Sequence, residues 1–441
     1  MVETVAVIGA GPVGSLMALG LAHRGYDVTL FDSRPDPRTI QNKNLRSINL
    51  AVSARGITAM EFIDPEMKQR ILEDIIPMHG RMIHDLTGNE ESQIYGLFGE
   101  SINSIDRGKL NEDLIDEIVR FNDKKNKAQI KLKFNSKIGR INFDADGKVQ
   151  ITDNDSFDFI IGADGSYSNI RYQMQKNIRM DYKQEYVDMC YLELYIPPTP
   201  TGFAIDPNHL HIWPRKDFML IALANSDGSF TSTFFGPWKL TEELDTPDKI
   251  EPFFREQFPD AVNLIGIENV IDVFMNNPKG ALMQVTCSKY NYSDKCIIIG
   301  DAAHSMVPFY GQGMNCGFED VKILLELFDT CKTRKETFDK YSEVRQKDLQ
   351  AILKLAWDNY HEMSTKVMSQ LYLFRKTLDG VLGRIIPQYW VPMYSMVSFR
   401  HDIPYSQCIS REKRQTLILK AIELGALSAI GLAALFKFKK S

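Results

Sequence analysis

Residues 4–14, TVAVIGAGPVG, decide the fold class of this chain. An apolar β-like run is followed by a glycine pattern of the form G-x-G-x-x-G, and a helical stretch comes after it. In such a turn Gly9 allows the tight bend, Gly11 lets the backbone approach a pyrophosphate, and Gly14 allows close packing of helix on strand. The pattern predicts a βαβ unit that binds a dinucleotide at the N-terminus of the helix.

The second strand of this unit supports the same interpretation. Residues 27–32 are strand-like and end at Asp32, which takes the place of the acid that binds a ribose hydroxyl in dinucleotide-binding folds. A glycine turn with a purely structural role is the alternative. The motif alone does not distinguish FAD from NAD.

Two later segments distinguish between the two dinucleotides. Residues 160–166 are IIGADGS and lead to Arg171, and residues 297–304 are IIIGDAAH. Each pattern alone is common at the turns that follow strands. The three motifs in this order resemble those of the flavin-dependent aromatic hydroxylases, the para-hydroxybenzoate hydroxylase family. The resemblance implies FAD as cofactor, NADPH as co-substrate and O2 as oxidant.

The resemblance also implies which residues contact the cofactor. Asp301 is expected at the ribityl chain, and Asp164 and Arg171 are expected where FAD and NAD(P)H approach. Arg107 is expected to meet FAD, with a solvated surface arginine as the alternative. The expected cofactor-binding residues are Gly9, Gly11, Val13, Gly14, Asp32, Arg34, Ala51, Arg107, Ile138, Asp164, Asp301, Met314 and Asn315.

The sequence contains no second G-x-G-x-x-G pattern. The reductant therefore has no Rossmann domain of its own, which disfavours the flavin reductases that carry two such domains. By resemblance, NADPH visits the flavin transiently.

Further segments are similar to those of family members that hydroxylate L-kynurenine. They are RSINLA at 46–51, RMIH at 81–84, LHIWP at 210–214, GQGMN at 311–315, NYHEM at 359–363, and residues 391–399. Leu45 and Ala54 depart from the expected pattern beside RSINLA. The resemblance implies an oxygenated flavin that hydroxylates L-kynurenine. Two alternatives stay open: a related hydroxylase of another aromatic acid, and a non-enzymatic flavin-fold binder such as a Rab escort-type protein.

A substrate carboxylate needs a buried arginine, because a guanidinium matches its geometry. By position, Arg81 is expected to pair with that carboxylate and Tyr95 to hydrogen-bond it. Asn359 and Tyr394 are expected to complete the pocket, with Glu362 and Met363 near the substrate or a C-terminal lid. The alternatives are a surface charge for Arg81, ordinary core for Tyr95 and Met363, and a helix surface for Asn359. His304 is expected to be a structural neighbour of the flavin loop rather than a base.

Composition limits the remaining possibilities. A chain of 441 residues predicts two or three domains, and a net charge of -5 without a basic stripe argues against nucleic acid as partner. None of the six cysteines forms a C-x-x-C pair, which favours free thiols over a disulfide framework or a metal site. No N-terminal signal peptide is expected. The sequence does not predict the oligomeric state.

The expected fold class is α/β. A Rossmann-type FAD-binding domain (residues 1–75, 97–179 and 287–335) is interrupted by an antiparallel β-sheet substrate domain (residues 76–96 and 180–286). The strand-like segments between residues 180 and 286, separated by Pro, Asn and Gly turns, predict that sheet. A helical region, residues 336–410, closes the substrate pocket, and residues 411–441 form a membrane anchor.

The anchor is predicted from the tail. Residues 424–436 form an uncharged apolar run that is about 20 Å long as a helix, shorter than a bilayer core of about 30 Å. Extension back to Thr416 reaches a spanning length if Lys420 snorkels or pairs with Glu423. An amphipathic helix packed on the body or on a membrane surface is the alternative. The resemblance implies the mitochondrial outer membrane, with the body facing the cytosol. Basic residues flank the run: Arg411, Lys413, Arg414, Lys437, Lys439 and Lys440.

Overall fold

The computed structural model describes residues 2–39, 49–124, 128–145, 147–152, 155–364 and 369–438. Leu45, residues 46–48 of the RSINLA segment, and the basic residues Lys439 and Lys440 lie outside these ranges.

The described residues form strands and helices in the following order. The strands are β1 (Thr4–Ile8), β2 (Asp27–Phe31), β3 (Leu50–Val52), β4 (Ile76–Met78), β5 (Gly80–His84), β6 (Glu90–Ile94), β7 (Ile102–Ile105), β8 (Ile130–Lys133), β9 (Asn142–Ala145), β10 (Lys148–Gln150), β11 (Ser156–Phe157), β12 (Phe159–Gly162), β13 (Tyr182–Ile196), β14 (His209–Arg215), β15 (Phe218–Ala224), β16 (Phe230–Gly236), β17 (Gly280–Cys287), β18 (Asn291–Tyr292) and β19 (Cys296–Ile298). The helices are α1 (Pro12–His23), α2 (Ala54–Ile63), α3 (Pro65–Ile71), α4 (Arg107–Asp123), α5 (Asn169–Gln175), α6 (Trp238–Glu243), α7 (Pro247–Gln257), α8 (Pro259–Ile265), α9 (Ile267–Asn276), α10 (Asp301–His304), α11 (Gly313–Thr330), α12 (Arg334–Ser364), α13 (Gln370–Ile385), α14 (Met393–Ser398) and α15 (Tyr405–Phe438).

The first sheet carries the nucleotide-binding turn. Its strand order is β18-β19-β12-β1-β2-β8, and all of its pairs are parallel except the edge pair β18 and β19. The strands β1, β12 and β19 are almost completely buried, since α1 packs against β1 and β2, and the small sheet of β9, β10 and β11 packs against β1 and β12. The predicted βαβ unit is confirmed as β1, α1 and β2.

The second sheet forms the floor of the pocket described below. Its strand order is β17-β13-β16-β15-β14-β5-β6. The predicted purely antiparallel arrangement is wrong at one pair, since β14 and β5 run parallel, with His209 opposite Gly80 and Ile212 opposite Ile83. The chain between these two strands passes through the first sheet, so no local turn dictates their relative direction.

The helices α6 to α9 are a second departure from the prediction, which placed only sheet across residues 180–286. They cover one face of the second sheet and enclose an aromatic core around Trp213, Phe234, Phe254 and Phe258. Three of the four helices are shorter than eleven residues, so each shows too few turns of helical periodicity to be recognised.

Residues 54–78 are divided into several short elements. The helix α2 ends before Asp64, whose side chain caps α3 by accepting hydrogen bonds from the amides of Glu66 and Met67. Pro65 starts the new helix because it cannot continue the previous one. Ile76 begins β4, which joins the three-stranded sheet β3-β7-β4 rather than the second sheet. The predicted domain boundaries remain predictions.

The C-terminal part of the described chain is helical, from α11 to α15. The long helix α12 returns across the molecule and brings its C-terminal turn, with Asn359 and Glu362, against Arg81 on β5. In the part of the chain that the structure describes, no helix is both long enough and apolar enough to cross a bilayer.

A buried charge network ties these helices to the first sheet. Arg345 on α12 donates to Asp320 Oδ1 (Nε, 2.9 Å) and to Glu319 Oε2 (Nη1, 2.8 Å) on α11. Arg55 on α2 donates to the other oxygen of Glu319, and His304 on α10 is hydrogen-bonded to Asp320. Two guanidinium groups and two carboxylates thus compensate one another in a region closed to water.

The same network reaches the C-terminal segment through Arg55. Its guanidinium donates to the carbonyl oxygens of Val397 (3.0 Å) and Ile403 (2.5 Å) and lies 3.9 Å from the ring centre of Tyr405. The network therefore holds α2, α10, α11, α12 and the chain around α14 in one arrangement.

The six cysteines are free, as predicted. The ligand atoms of His304, Cys316 and Asp320 lie within 4.8 Å of one another. However, Arg345 donates hydrogen bonds to both Asp320 and Cys316, so a guanidinium already supplies the positive charge there.

We predict that Arg345→Met lowers the free energy of unfolding by about 3–5 kcal/mol, because it leaves the two buried carboxylates Glu319 and Asp320 with Arg55 as the only remaining guanidinium of the network. The matched control is Lys354→Met on the same helix, which removes an exposed pair with Asp358. That change is expected to cost less than about 1 kcal/mol. Urea unfolding followed by circular dichroism compares the two variants, and equal midpoints would contradict this account of the network.

Candidate active site

At the glycine turn, β1, α1 and the chain after β12 approach so closely that a side chain on Gly9 or Gly14 would overlap with backbone atoms. Gly9 has a φ of +105°, and a Cβ there would lie 2.3 Å from the carbonyl oxygen of Ala163. A Cβ on Gly14 would lie 1.9 Å from the carbonyl oxygen of Gly9. Gly11, in contrast, has no atom within 4 Å of a built Cβ, so its backbone is open to a ligand.

The N-terminus of α1 has the properties of an anion site. No side chain caps the helix at Gly11, so its first N–H groups are available to a pyrophosphate. Val13, in the first turn, packs beside Gly300 and Gly317, where built Cβ atoms would lie 3.2 and 2.5 Å from its methyl groups. The start of α1 and the turn after β19 are thereby held together.

Asp32 stands beside this turn. Its carboxylate accepts hydrogen bonds from the Ala10 amide (2.8 Å) and from the Arg34 amide (2.8 Å) and guanidinium (3.0 Å). Burial raises the pKa of Asp32, but the hydrogen bonds from Arg34 outweigh burial, and the pKa lies below its ordinary value. Asp32 is therefore a fixed anion suited to accept the hydroxyl groups of a ribose.

The turn after β12 is held by its own side chains. Asp164 accepts hydrogen bonds from the Ser168 hydroxyl and the Ile170 amide, and burial raises its pKa. Arg171 donates to the carbonyl oxygens of Ser166 and Ala302, both at 2.7 Å. Arg171 thus joins two of the predicted motifs through the protein backbone.

Three further predicted cofactor residues lie at element ends or in a connecting loop. Asp301 is half-buried at the start of α10, and Arg107 is exposed at the start of α4. Within the described ranges, neither side chain has a hydrogen-bond or ion-pair partner. Ile138 is buried in the loop after β8, and its carbonyl oxygen accepts a hydrogen bond from Asn169.

Asn315 links the start of α11 to β3. Its amide donates to the carbonyl oxygens of Ala51 (2.7 Å) and Gly311 (2.8 Å), and its oxygen accepts from the Ser53 amide (2.8 Å). The N-terminus of α11 has no side-chain cap, so the amides near Met314 are available to a ligand. The open Gly11, the fixed Asp32, the unpartnered Asp301 and two uncapped helix starts fit FAD.

A cavity adjoins this region and contains most of the predicted substrate residues. Ala51 and Gly311, whose carbonyl oxygens accept hydrogen bonds from Asn315, line one part of it, and Arg81 lies among its polar residues. The other predicted residues that line it are Tyr95, Asn359, Met363 and Tyr394. Asn49 and Tyr310 also line the cavity, and the rest of the wall is apolar and comes mainly from the second sheet and the segment before α11: Ile102, Leu210, Ile221, Leu223, Phe235, Pro308 and Phe309.

Arg81 is the charged group of this cavity and is 3% exposed. It donates from Nη1 to Glu362 Oε1 at 3.0 Å and from Nη2 to Asn359 Oδ1 at 3.4 Å. Its guanidinium carbon lies 5.5 Å from the ring centre of Tyr95 and 5.2 Å from that of Tyr394. The surface-charge alternative for Arg81 therefore does not fit the structure.

Three tyrosine rings stand beside the guanidinium. The rings of Tyr95 and Tyr394 are stacked at 4.6 Å, and those of Tyr310 and Tyr394 at 5.7 Å. In the part of the chain that the structure describes, neither the Tyr95 hydroxyl nor Arg81 Nε has a hydrogen-bond partner, although both are buried. Two unused donors in an apolar cavity form a receptor for an anionic ligand group.

The opposite side of Arg81 is closed by α12 and α13. The Asn359 amide donates to the Phe309 carbonyl oxygen at 2.7 Å, which fixes its oxygen toward Arg81. Glu362 also accepts a hydrogen bond from the Tyr372 hydroxyl at 2.8 Å. Lys376, one turn further along α13, donates to Gln93 on β6. All six predicted substrate residues are therefore in or beside this cavity.

Sequence reasoning did not identify Tyr310, Tyr372 or Lys376. Tyr372 and Lys376 are four residues apart, which places both on one face of a helix. This spacing alone does not predict a substrate site, because the sequence does not show which residues that face contacts. Tyr310 lies directly before the GQGMN segment and could have been found by its adjacency.

Comparisons with known proteins agree with this geometry. A family model described as FAD binding domain matches residues 130–356, and a model described as NAD(P)-binding Rossmann-like domain matches residues 7–69. Kynurenine 3-monooxygenase of Candida albicans is 54% identical over 448 residues, covering 99% of this chain and 96% of the relative. The protein of the same name from Saccharomyces cerevisiae is 49% identical over 462 residues, covering 99% of both chains.

Solved structures with little sequence identity share the fold. The tetrameric form of 2-methyl-3-hydroxypyridine-5-carboxylic acid oxygenase superposes with a TM-score of 0.67 at 15% identity, covering 84% of this chain and 95% of that chain. Pseudomonas aeruginosa PqsL in complex with 2-aminobenzoylacetate gives 0.65 at 16% identity, covering 83% and 97%.

We predict that Asp32→Asn weakens FAD binding by about tenfold or more, because hydrogen bonds to a charged acceptor contribute about 1.5–3 kcal/mol. Asp36→Asn is the matched control, since Asp36 also pairs with an arginine two residues later but lies outside the glycine turn. FAD titration of the apoprotein by fluorescence measures both variants. Equal affinity in the two would show that Asp32 does not contact the dinucleotide.

Proposed function

This chain belongs to the kynurenine 3-monooxygenase family, and from that premise we propose how its buried arginine selects the substrate. The protein is an FAD-dependent monooxygenase that hydroxylates kynurenine with NADPH as co-substrate. The bound FAD supplies the redox chemistry that activates O2. The residues of the chain bind and orient the aromatic ring and exclude water.

The observation that carries the proposal is the pair of unused donors at Arg81 Nε and the Tyr95 hydroxyl. L-Kynurenine is an α-amino acid with an aminophenyl ketone as its side chain. Its carboxylate accepts hydrogen bonds from Arg81 and Tyr95, and the stacked Tyr394 and Tyr310 rings exclude water from that contact. An arginine this deeply buried binds a carboxylate more strongly than an exposed one, because no water competes.

Glu362 supplies the complementary charge. In this structure it pairs with Arg81 and accepts from Tyr372, so it balances the guanidinium when no carboxylate is bound. When the substrate carboxylate binds at Arg81 Nε and the Tyr95 hydroxyl, Glu362 stays on Nη1 of the same guanidinium and accepts the α-ammonium group of the substrate. Asn359 remains fixed by the Phe309 carbonyl and orients the guanidinium in both arrangements.

The aromatic ring then extends along the apolar wall toward Ala51 and Gly311 at the cofactor end of the cavity. The ring amine of kynurenine donates electrons to the ortho carbon, so the reaction does not require a strong protein base. In agreement with this, the lining residues of the described cavity that ionise are Arg81 and the tyrosines Tyr95, Tyr310 and Tyr394. Burial raises the pKa of each tyrosine, which keeps the phenols protonated.

The proposed function is tested by following NADPH oxidation with and without L-kynurenine and identifying the product by mass. Arg81→Met is expected to raise the KM for L-kynurenine by about a hundredfold or more, since a buried charge contact contributes about 2–5 kcal/mol. FAD content should be unchanged, and Arg140→Met, at an exposed arginine, should resemble the native enzyme. Loss of FAD in Arg81→Met would make Arg81 structural, and no kynurenine-dependent product would refute the substrate.

Lys376 predicts a pH dependence of substrate binding. Burial, with the neighbouring charge of Arg81, lowers the pKa of Lys376 from its usual value to about 8. The amine is therefore cationic at pH 7 and assists Arg81, whereas it is neutral above pH 8. We expect the KM for L-kynurenine to rise by about fivefold as the pH increases through this pKa, which corresponds to about 1 kcal/mol.

Two variants test this assignment. Lys376→Arg should keep the low KM at the higher pH, because an arginine stays charged. Lys376→Met should have the high KM at both values. Identical pH profiles for the native enzyme and Lys376→Met would contradict a role of Lys376 in substrate binding.

For localisation we propose that the C-terminal segment anchors the enzyme in the mitochondrial outer membrane, with the body facing the cytosol. Support comes from the uncharged apolar run at residues 424–436 and from its basic flanks. The full chain is expected to remain with mitochondrial membranes after alkaline carbonate extraction and to be digested by protease added to intact mitochondria. Release by carbonate would contradict the anchor, and protection from protease would contradict the orientation.

A further inference from the structure

The helix α13 has one face that covers the substrate cavity. Tyr372 reaches Glu362, Lys376 reaches Gln93, and a Cβ built on Gly383 would lie 2.5 Å from the side chain of Leu97. Tyr372, Lys376 and Gly383 recur at helical spacing, so they define a single inner stripe.

The opposite face of α13 is apolar and exposed. Phe374 is 66% exposed, Val381 46% and Ile385 70%. At 100° per residue, these positions lie on the side of the helix opposite the inner stripe. The inner stripe is polar and packs against the cavity wall, whereas the exposed apolar face has no cover among the described residues.

Further exposed apolar side chains lie beyond α13. Ile386 and Tyr389 follow it, and Leu417, Ile418 and Ile422 are exposed on α15. The two helices are joined, because Arg375 on α13 pairs with Glu412 on α15 at 3.2 Å. We call the following set the apolar platform: Phe374, Val381, Ile385, Ile386, Tyr389, Leu417, Ile418 and Ile422.

The charges around the apolar platform are basic. Exposed cations are Arg384 on α13 and Arg411, Lys413, Arg414 and Lys420 on α15. The acids on these described helix surfaces, Asp379 and Glu412, are compensated by Arg375. Apolar side chains with surrounding cations match an interface between acyl chains and anionic headgroups. A two-fold contact between copies would instead bring like charges together.

We propose that the apolar platform lies on the surface of an anionic lipid bilayer, so that the helix closing the substrate cavity is itself a membrane-contacting element. The proposal rests on the C-terminal anchor proposed above, since α15 leads directly from the platform into the uncharged run at residues 424–436. The anchor brings the bilayer to the platform, and the platform adds a second contact. Bilayer contact then holds Tyr372 and Lys376 over the cavity.

The test uses the full chain and vesicles of phosphatidylcholine with phosphatidylserine. Tryptophan is introduced in Phe374→Trp and, as the matched control, in Met275→Trp, where an exposed methionine lies on the remote helix α9. With brominated phosphatidylcholine, the added fluorescence of Phe374→Trp is expected to be quenched, and that of Met275→Trp is not. Equal quenching, or none at residue 374, would overturn the proposal.

A second measurement compares affinities. The double variant Phe374→Glu with Ile385→Glu is expected to bind these vesicles about tenfold more weakly than the native chain, while Met275→Glu binds like the native chain. Vesicle binding that is unchanged in the double variant would refute the platform but leave the anchor intact. No vesicle binding by the native chain would refute both. A native dimer that the double variant converts to a monomer would assign the platform to self-association.

Discussion

The contact of Arg345 with Asp320 and Glu319 is the interaction on which the rest of the structure depends. Through it α12, which carries Asn359 and Glu362, is fixed to α11, whose uncapped start is tied to Ala51 by Asn315. Arg55 extends the network to the backbone around α14, where Tyr394 lies. Because every member is buried, displacement of one charge leaves another without compensation. The cofactor turn and the substrate cavity are therefore positioned together.

Arg81, in the cavity, is another buried arginine that pairs with a carboxylate, but part of its hydrogen-bonding capacity is left for a ligand. Its guanidinium is also buried and paired, but two of the surrounding donors, its own Nε and the Tyr95 hydroxyl, remain unused. A buried donor without an acceptor is costly, so the site favours an incoming carboxylate. In the network around Arg345 every guanidinium and carboxylate has an opposite charge beside it, whereas the group around Arg81 leaves two donors for an incoming anion in the described part of the chain.

Local sequence was sufficient for the cofactor turn. The structure shows the tight bend at Gly9 and the close packing at Gly14 that their spacing predicts, and it places Asp32 beside the turn. The ligand contacts of Gly11 and Asp32 stay predictions. Resemblance of motifs, rather than any pattern in the residues themselves, identified Arg81, Tyr95, Asn359 and Tyr394. Their convergence on one cavity requires strands and helices that are remote in sequence.

What could not be predicted depends on such remote contacts. The parallel pairing of β14 with β5 has no local signal, and the short helices from α6 to α9 each offer few turns of periodicity. Arg345 pairs with Asp320, and Lys376 lies within the electrostatic influence of Arg81. In the sequence alone, such charged residues cannot be distinguished from charged residues on a solvated surface. Their burial, which gives them their strength, becomes visible only in the folded chain.

The central claim is that Arg81 and Tyr95 recognise the carboxylate of the substrate. It is tested most directly by titrating the FAD-loaded enzyme with L-kynurenine and with kynuramine, its analogue without the carboxylate, and following the flavin absorbance. The account predicts that kynuramine binds with a Kd about a hundredfold higher or more, because it leaves the two donors unsatisfied. Equal Kd values for the two compounds would contradict it.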